Sequence, residues 1–162
     1  MTPFWLHRPL INVQDIYHWA VEAGIKKMMS PDQLHITLCT VRSPVEWEGL
    51  ELRDDTVEIE AGHKTVQIFG FTAKGLAFGS RVFKERHTEL VEIFPGMDHP
   101  ALFRPHVTLY RGGKMPPTPY EGKLVFGPEV ASEFREEAVK NLKHHKINTN
   151  NYRFQVGLPL LG

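Results

Sequence analysis

The chain spells His-x-Thr-Leu twice, at His35-Ile36-Thr37-Leu38 and at His106-Val107-Thr108-Leu109. With 9 His, 10 Thr and 15 Leu in 162 residues, chance supplies about 0.05 such tetrads, so the recurrence asks for a chemical reason. In a β-strand, residues i and i+2 project from one face, and each tetrad therefore sets an imidazole beside a hydroxyl. Two imidazoles facing one phosphodiester can divide a proton-transfer reaction. One takes the proton from an attacking hydroxyl while the other protonates the departing oxygen. The threonine hydroxyls would then donate to the non-bridging phosphate oxygens and stabilise the charge that develops there. On this reading His35, Thr37, His106 and Thr108 are the catalytic residues. The plainer alternative makes all four solvent-facing residues of two amphipathic strands.

That chemistry requires no metal, and the expectation is neither a metal nor a cofactor. Two histidines without a carboxylate or thiolate nearby on their strands fall short of the three protein ligands of a catalytic zinc. A thiol nucleophile is also disfavoured, because the single cysteine, Cys39, sits at i+4 from His35 with no sign of a base held against it.

The elements that must carry these residues follow from periodicity. Asn12 and Asp15 open a helix whose apolar positions are Val13, Ile16, Ala20 and Ala23, and Gly24 suits its end. A Ser30 to Asp32 turn leads into the first histidine strand, with Leu34, Ile36, Leu38 and Val41 mostly on the inner side. The runs "TVEIEAG", "KTVQIFGF" and "GLAFGSRVF", broken at Gly62, Gly70 and Gly75, predict a strand meander. A second helix is expected over Arg81–Phe94 with Phe83, Leu90, Val91 and Phe94 as its apolar stripe. "PHVTLYR" is the second histidine strand, and "KLVFGPEVASEF" a last strand interrupted at Gly127-Pro128. "REEAVKNLKHHK" has helical character. The chain thus duplicates a unit of helix, turn and histidine strand, as two lobes related by a pseudo-two-fold axis would, with a cleft between them.

Composition narrows the partners. The 19 basic and 19 acidic side chains cancel, so no global field draws the protein to a long nucleic acid or an anionic membrane. A small ligand captured locally is the better match. One cysteine excludes an internal disulfide. The start of the sequence has no basic region followed by an apolar run of signal-peptide type, and no segment approaches membrane-spanning length. A soluble, cytoplasmic protein is expected. Nothing in the sequence speaks to its oligomeric state.

With both tetrads intact, the sequence resembles the 2H phosphoesterases, a superfamily named for paired His-x-Thr/Ser-x motifs. Within it, "WLHRPLIN", "LHITLC", "PVEW", "FRPHVTLY" and "YEGKLVFGPEV" are similar to the phage anti-CBASS phosphodiesterases, over roughly residues 3 to 135. The resemblance implies an α+β, bilobal 2H-phosphoesterase fold, with two mainly antiparallel sheets flanked by helices around a central cleft. The domain would span residues 1–135, and residues 136–162 would form a C-terminal extension of unknown role, part of it helical. It further implies metal-independent cleavage of cyclic di- and trinucleotide messengers, such as 3′,3′-cyclic GMP-AMP, that silences a bacterial antiviral alarm. The partner would be a small cyclic oligonucleotide.

Such a ligand must also be held by its bases, for which aromatic stacking is a sequence-tolerant means. The resemblance places Trp5 where an aromatic stacks on a base and Glu129 where a carboxylate meets a base edge; packing and plain solvent exposure are their respective alternatives. Tyr110, at i+4 from His106, could reach the cleft, and Phe134 could add an aromatic over it. Arg104 and Arg111 bracket the second tetrad and could supply positive charge, whereas Arg8 and Lys114 read as ordinary surface cations. Trp19 and Trp47 read as packing residues, and His144 and His145 as surface. The same two histidines would equally serve an RNA-end 2′,3′-cyclic phosphodiesterase or a 2′,5′-oligoadenylate phosphodiesterase. A catalytically idle nucleotide sponge is the reading from another class.

Overall fold

The computed structural model describes residues 1–135 and 146–149. Over these described residues it is an α+β fold of mostly antiparallel sheets with two α-helices. The first three-stranded sheet has the order β3-β1-β9, from β3 (His35–Val45), β1 (Thr2–Pro9) and β9 (Val130–Glu133). The second has the order β5-β6-β7, from β5 (Val66–Phe69), β6 (Ala73–Ala77) and β7 (His106–Arg111). Each histidine strand is therefore an edge strand, and the two edges approach each other. Two strand pairs complete the fold: β4 (Val57–Ile59) with β8 (Leu124–Phe126), and β2 (Lys27–Met29) with β10 (Lys146–Asn148).

The N-terminal segment, for which periodicity alone predicts no strand, is the central strand of the first sheet. Its alternation is clean: Phe4 and Leu6 are fully buried while Trp5 and His7 face outward. The expected meander is only partly realised. β5, β6 and β7 follow one another, but β4 leaves that sheet to pair with β8. The chain between β4 and β5 is held away by Lys64, whose ammonium donates to the carbonyls of Glu60, Gly62 and Gly122. The interruption at Gly127-Pro128 is real and has a purpose. It lets one stretch of chain give β8 to one strand pair and β9 to the first sheet, with Gly127 N–H donating to Pro9 O at 2.8 Å.

Helix α1 (Val13–Glu22) ends as its sequence predicts. Gly24, at φ +81°, donates to Val21 O and the following Ile25 donates to Ala20 O, closing a Schellman turn that needs the left-handed residue. Its start differs from expectation. Asn12 occupies the cap position without capping its own helix, and instead accepts from Val125 N–H and donates to Lys123 O, tying α1 to β8. Helix α2 (Arg81–Ile93) is capped by Ser80, whose hydroxyl accepts from Phe83 N–H, and its stripe buries Phe83, Leu90 and Phe94. Trp19 and Trp47 pack as expected: Trp19 is buried against Tyr120, and Trp47 stacks on Phe4. No helix among the described residues is long and apolar enough to cross a membrane. The helix expected at "REEAVKNLKHHK" falls mostly outside the described residues, as do His144 and His145. Residues 146–149 instead join β2, and Thr149 hydrogen-bonds to the carbonyl of Ile25 at 2.7 Å.

An ionic network locks α2 to the turn before β9. The Arg86 guanidinium makes two 2.9 Å bonds to the Glu129 carboxylate, whose Oε1 also accepts from Arg53 N–H. Glu89 bridges Arg86 to Arg53, and Arg8 reaches Asp55 and the carbonyl of Gly127. Arg8, Arg86 and Glu129 are all buried. Deleting one member of a buried pair strands the other charge away from water. Glu129→Ala is therefore expected to destabilise the fold by about 3–5 kcal/mol, read from urea unfolding. A loss below about 1 kcal/mol would mean that the pair acts as a surface ion pair does.

Candidate active site

The two halves of the site are built alike. A 3-10 turn at Pro31–Gln33 delivers His35 to the start of β3, and the loop through Arg104 and Pro105 delivers His106 to the start of β7. In each half the ring Nδ1 lies 2.7 Å from the carbonyl two residues upstream, Gln33 O for His35 and Arg104 O for His106. A carbonyl only accepts, so Nδ1 carries the proton in both rings. In the neutral imidazole, Nε2 then presents its lone pair. His35 Nε2 lies 3.1 Å from the Thr37 hydroxyl, on the same strand face.

The leucine of each tetrad has its own task. On β1, neighbouring Leu6 and His7 face Cys39 and Thr37, so Leu38 is an extra residue on β3. On β6, neighbouring Lys74 and Gly75 face Tyr110 and Thr108, which leaves Leu109 extra on β7. Both tetrads therefore run straight into a β-bulge, and both show the same burial sequence afterwards, with two consecutive inward residues. The bulge reverses the alternation. Cys39 and Tyr110, which simple i+4 counting places on the histidine face, are turned into the core.

That corrects Tyr110, whose ring is buried and whose hydroxyl donates to Lys114 O at 2.7 Å. Burial pushes the Cys39 thiol up to about 12, which leaves almost no thiolate at neutral pH. Glu129 is corrected too. Its side chain is fully buried and both carboxylate oxygens are committed to Arg86 and Arg53, so it holds the scaffold rather than facing the histidines. Arg8 is likewise a buried structural cation and not a surface one.

Trp5 does lie at the site, with its ring centroid 5.0 Å from that of His35 in an edge-on arrangement. One face of the indole is covered by a residue that sequence reasoning did not single out. His7 stacks on Trp5 at 3.8 Å and 13°, and meets His35 edge-on at 5.2 Å. Its signal was present in the i, i+2 spacing from Trp5, once β1 is recognised as a strand. Phe134 is on the same sheet, at the end of β9 beyond Ser132, the partner of Trp5; Arg42 lies over its ring at 5.0 Å and also pairs with Asp98. Arg104 lies beside the His106 half, 4.2 Å above Phe69 and bonded to Gln67. Arg111 is at the far end of β7, opposite Ala73.

Burial is the main influence on the imidazoles, and it disfavours their charged forms. His35 is held below the usual histidine range by burial and by the charge His106 would carry, against the opposing Gln33 hydrogen bond. Burial likewise lowers His106, helped by the Arg104 guanidinium and opposed by the Arg104 carbonyl. His7 is pulled down to about 4 by burial and by His35. The charge His106 would carry acts on His35, in keeping with the contact between β3 and β7. Among the described residues, no three His, Cys, Asp or Glu side chains converge as metal ligands.

Two edge strands, each bringing a His and a Thr to one site, define a class of α+β protein with paired His-x-Thr strands. The comparisons are more specific. The family model described as Anti-CBASS protein Acb1 matches residues 4–141, and the chain belongs to that family. It is 35% identical over 150 residues to the Anti-CBASS protein Acb1 of Caulobacter sp. (strain RHG1), covering 86% of this chain and 24% of the relative. It is 30% identical over 147 residues to that of Sphingomonas paeninsulae, covering 83% of this chain and 23% of the relative. The chain thus spans about a quarter of the length of these curated relatives.

The depressed imidazoles tie folding to pH. Between the folded value of about 4 for His7 and its ordinary 6.5, the unfolded chain binds a proton that the folded chain refuses. Stability therefore falls as pH drops through that window, by about 3 kcal/mol for a shift of this size. His7→Phe, which keeps a ring against Trp5, should flatten the dependence of unfolding free energy on pH between 4 and 6.5. An unchanged slope would show that His7 protonates freely in the folded state.

Proposed function

We propose that this chain is a metal-independent phosphodiesterase that opens cyclic di- and trinucleotide signals of CBASS antiviral defence, acting in the host cytoplasm on behalf of a phage. The observation that carries the reading is the matched pair of His-x-Thr edge strands, each imidazole held in the same tautomer by an upstream carbonyl. Family membership supports the choice of substrate class, and the resemblance to 2H phosphoesterases supports a bilobal arrangement around the pair. In the first step the substrate's 2′-hydroxyl attacks the adjacent phosphorus. One histidine takes its proton at Nε2 while the other, protonated at Nε2, gives a proton to the 5′-oxygen as the phosphorus–oxygen bond breaks. The product is a 2′,3′-cyclic phosphate. Water then opens that ring with the two roles reversed, leaving a 3′-phosphate and restoring both protonation states. Thr37 and Thr108 donate to the non-bridging oxygens.

The resting pair is mostly neutral at pH 7, so the acid must acquire its proton before reaction. The phosphodiester anion favours this on binding, because an opposite charge nearby stabilises the imidazolium. In the free protein the singly protonated pair is most populated below the ordinary imidazole value of 6.5. kcat/KM is accordingly expected to peak on the acid side of that value and to fall as pH rises through neutrality.

His35→Ala and His106→Ala are each expected to lower turnover by about 10²- to 10⁴-fold with excess EDTA present and the fold retained. The deciding panel sets cyclic di- and trinucleotides beside 2′,5′-linked oligomers and RNA ending in a 2′,3′-cyclic phosphate, with products identified by mass. Preference for the RNA end or for 2′,5′ linkages would move the substrate assignment within the superfamily. Recovery of the cyclic nucleotide unchanged after denaturation would make the chain a sponge. Loss of wild-type activity in EDTA would overturn the metal-free step.

A further inference from the structure

The second sheet carries a feature that neither tetrad announces. Residues Ala73, Gly75 and Ala77 of β6 form a row of small residues on one face of the sheet, beside β7, with Ala77 paired with His106 and Gly75 with Thr108. On the other side of that row Gln67 of β5 pairs with Gly75 and Phe69 with Ala73. The row is low enough for a ring from β5 to reach across it. Phe69 does so, and stacks on His106 with centroids 3.6 Å apart and planes 11° from parallel. The Arg104 guanidinium covers Phe69 at 4.2 Å. The same residue's carbonyl holds His106 Nδ1, and its side chain is anchored on Gln67 at 3.1 Å.

Gly75 is the residue that permits this layering. A Cβ there would stand 2.8 Å from Phe69 Cδ2, closer than real Cβ atoms approach, and 3.0 Å from His106 Cδ2, tighter than most Cβ contacts. Its backbone angle is not in the left-handed region. The absence of a side chain, rather than backbone freedom, is therefore what this position supplies.

We infer that Phe69, seated over the bare backbone of Gly75 and clamped by Arg104, is a positioning residue that fixes the plane of the His106 imidazole and shields it from water. The inference deepens the phosphodiesterase reading and rests on it for its kinetic part. With the ring plane fixed by stacking and the tautomer by the Arg104 carbonyl, His106 Nε2 has one direction in which to transfer a proton. His35 receives the equivalent support from the Trp5–His7 stack, which it meets edge-on rather than face-on. The charged group that acts on His106 is Arg104, and His106 in turn acts on His35.

The test compares Phe69→Leu, Gly75→Ala and the conservative Phe69→Tyr with the wild type by two independent readouts. The first is the titration of the His106 ring by NMR in the free protein, which needs no substrate. Loss of the stack in Phe69→Leu and its displacement in Gly75→Ala are expected to let water in and raise the His106 midpoint towards the ordinary imidazole value. Phe69→Tyr keeps the wild-type curve. The second readout is steady-state cleavage, where kcat is expected to fall about tenfold to a hundredfold in the first two variants while KM stays within about twofold. A His106 titration unchanged in Phe69→Leu overturns the inference, whether or not activity falls. If Gly75→Ala does not fold, Phe69→Leu decides alone. If the wild type cleaves no phosphodiester, the functional proposal fails and the titration still decides whether Phe69 controls the ring.

Discussion

A histidine directs a lone pair into a site only when its other nitrogen is held, and here that hold is a 2.7 Å hydrogen bond to a carbonyl two residues upstream, made twice. Much of the surrounding structure keeps those two carbonyls and their strands in place. The 3-10 turn sets the Gln33 carbonyl, and the Arg104–Pro105 approach sets the other. The edge positions of β3 and β7 bring the two histidine strands into contact, and the bulge that follows each tetrad returns the chain to the core immediately afterwards. The leucine of the repeated spelling is thus neither filler nor part of the chemistry. It is the extra residue that lets an outward His and Thr be followed by two inward side chains.

The protein manages charge locally. Its cations and anions balance overall, and buried ionic groups are concentrated in a network built around Arg8, Arg86 and Glu129. At the histidine pair, by contrast, burial by Trp5, Phe69 and their neighbours lowers the affinity for protons. The two regions use burial in opposite ways. In the network it comes with opposite charges in contact, which makes a rigid joint. At the pair, where no carboxylate among the described residues acts on either ring, burial holds both imidazoles below the usual histidine range.

How much of this was legible in the sequence depended on how local the determining physics was. The Schellman end of α1, the helix expected over Arg81–Phe94 and found over Arg81–Ile93, the two histidine strands and the break at Gly127-Pro128 are written in short-range periodicity and turn chemistry. The central role of β1 was not legible, because a strand containing Pro3, His7, Arg8 and Pro9 declares itself only through the neighbours on either side of it. β4 was misplaced for the same reason, since its partner β8 lies more than sixty residues away. Tyr110 was assigned to the histidine face by strict alternation, which a bulge invisible in the sequence overrides. Glu129 shows the limit of reading a charged residue from its motif alone. Its carboxylate is spoken for by Arg86 on a helix forty residues earlier. His7 was overlooked because it belongs to no repeat.

The splice at Gly127 has a mechanical consequence. One continuous run of chain leaves β8, donates from Gly127 to Pro9, receives the Arg8 guanidinium on its carbonyl, and enters β9 on the far edge of β1. Force applied to the β4–β8 pair is therefore transmitted along the backbone to the central strand that carries Trp5 and His7, through a joint further clamped by Glu129 and Arg86. This joint resists shear between the strand pair and the first sheet. The β5–β6 hairpin lies outside this joint, and its tip exposes Phe71 completely.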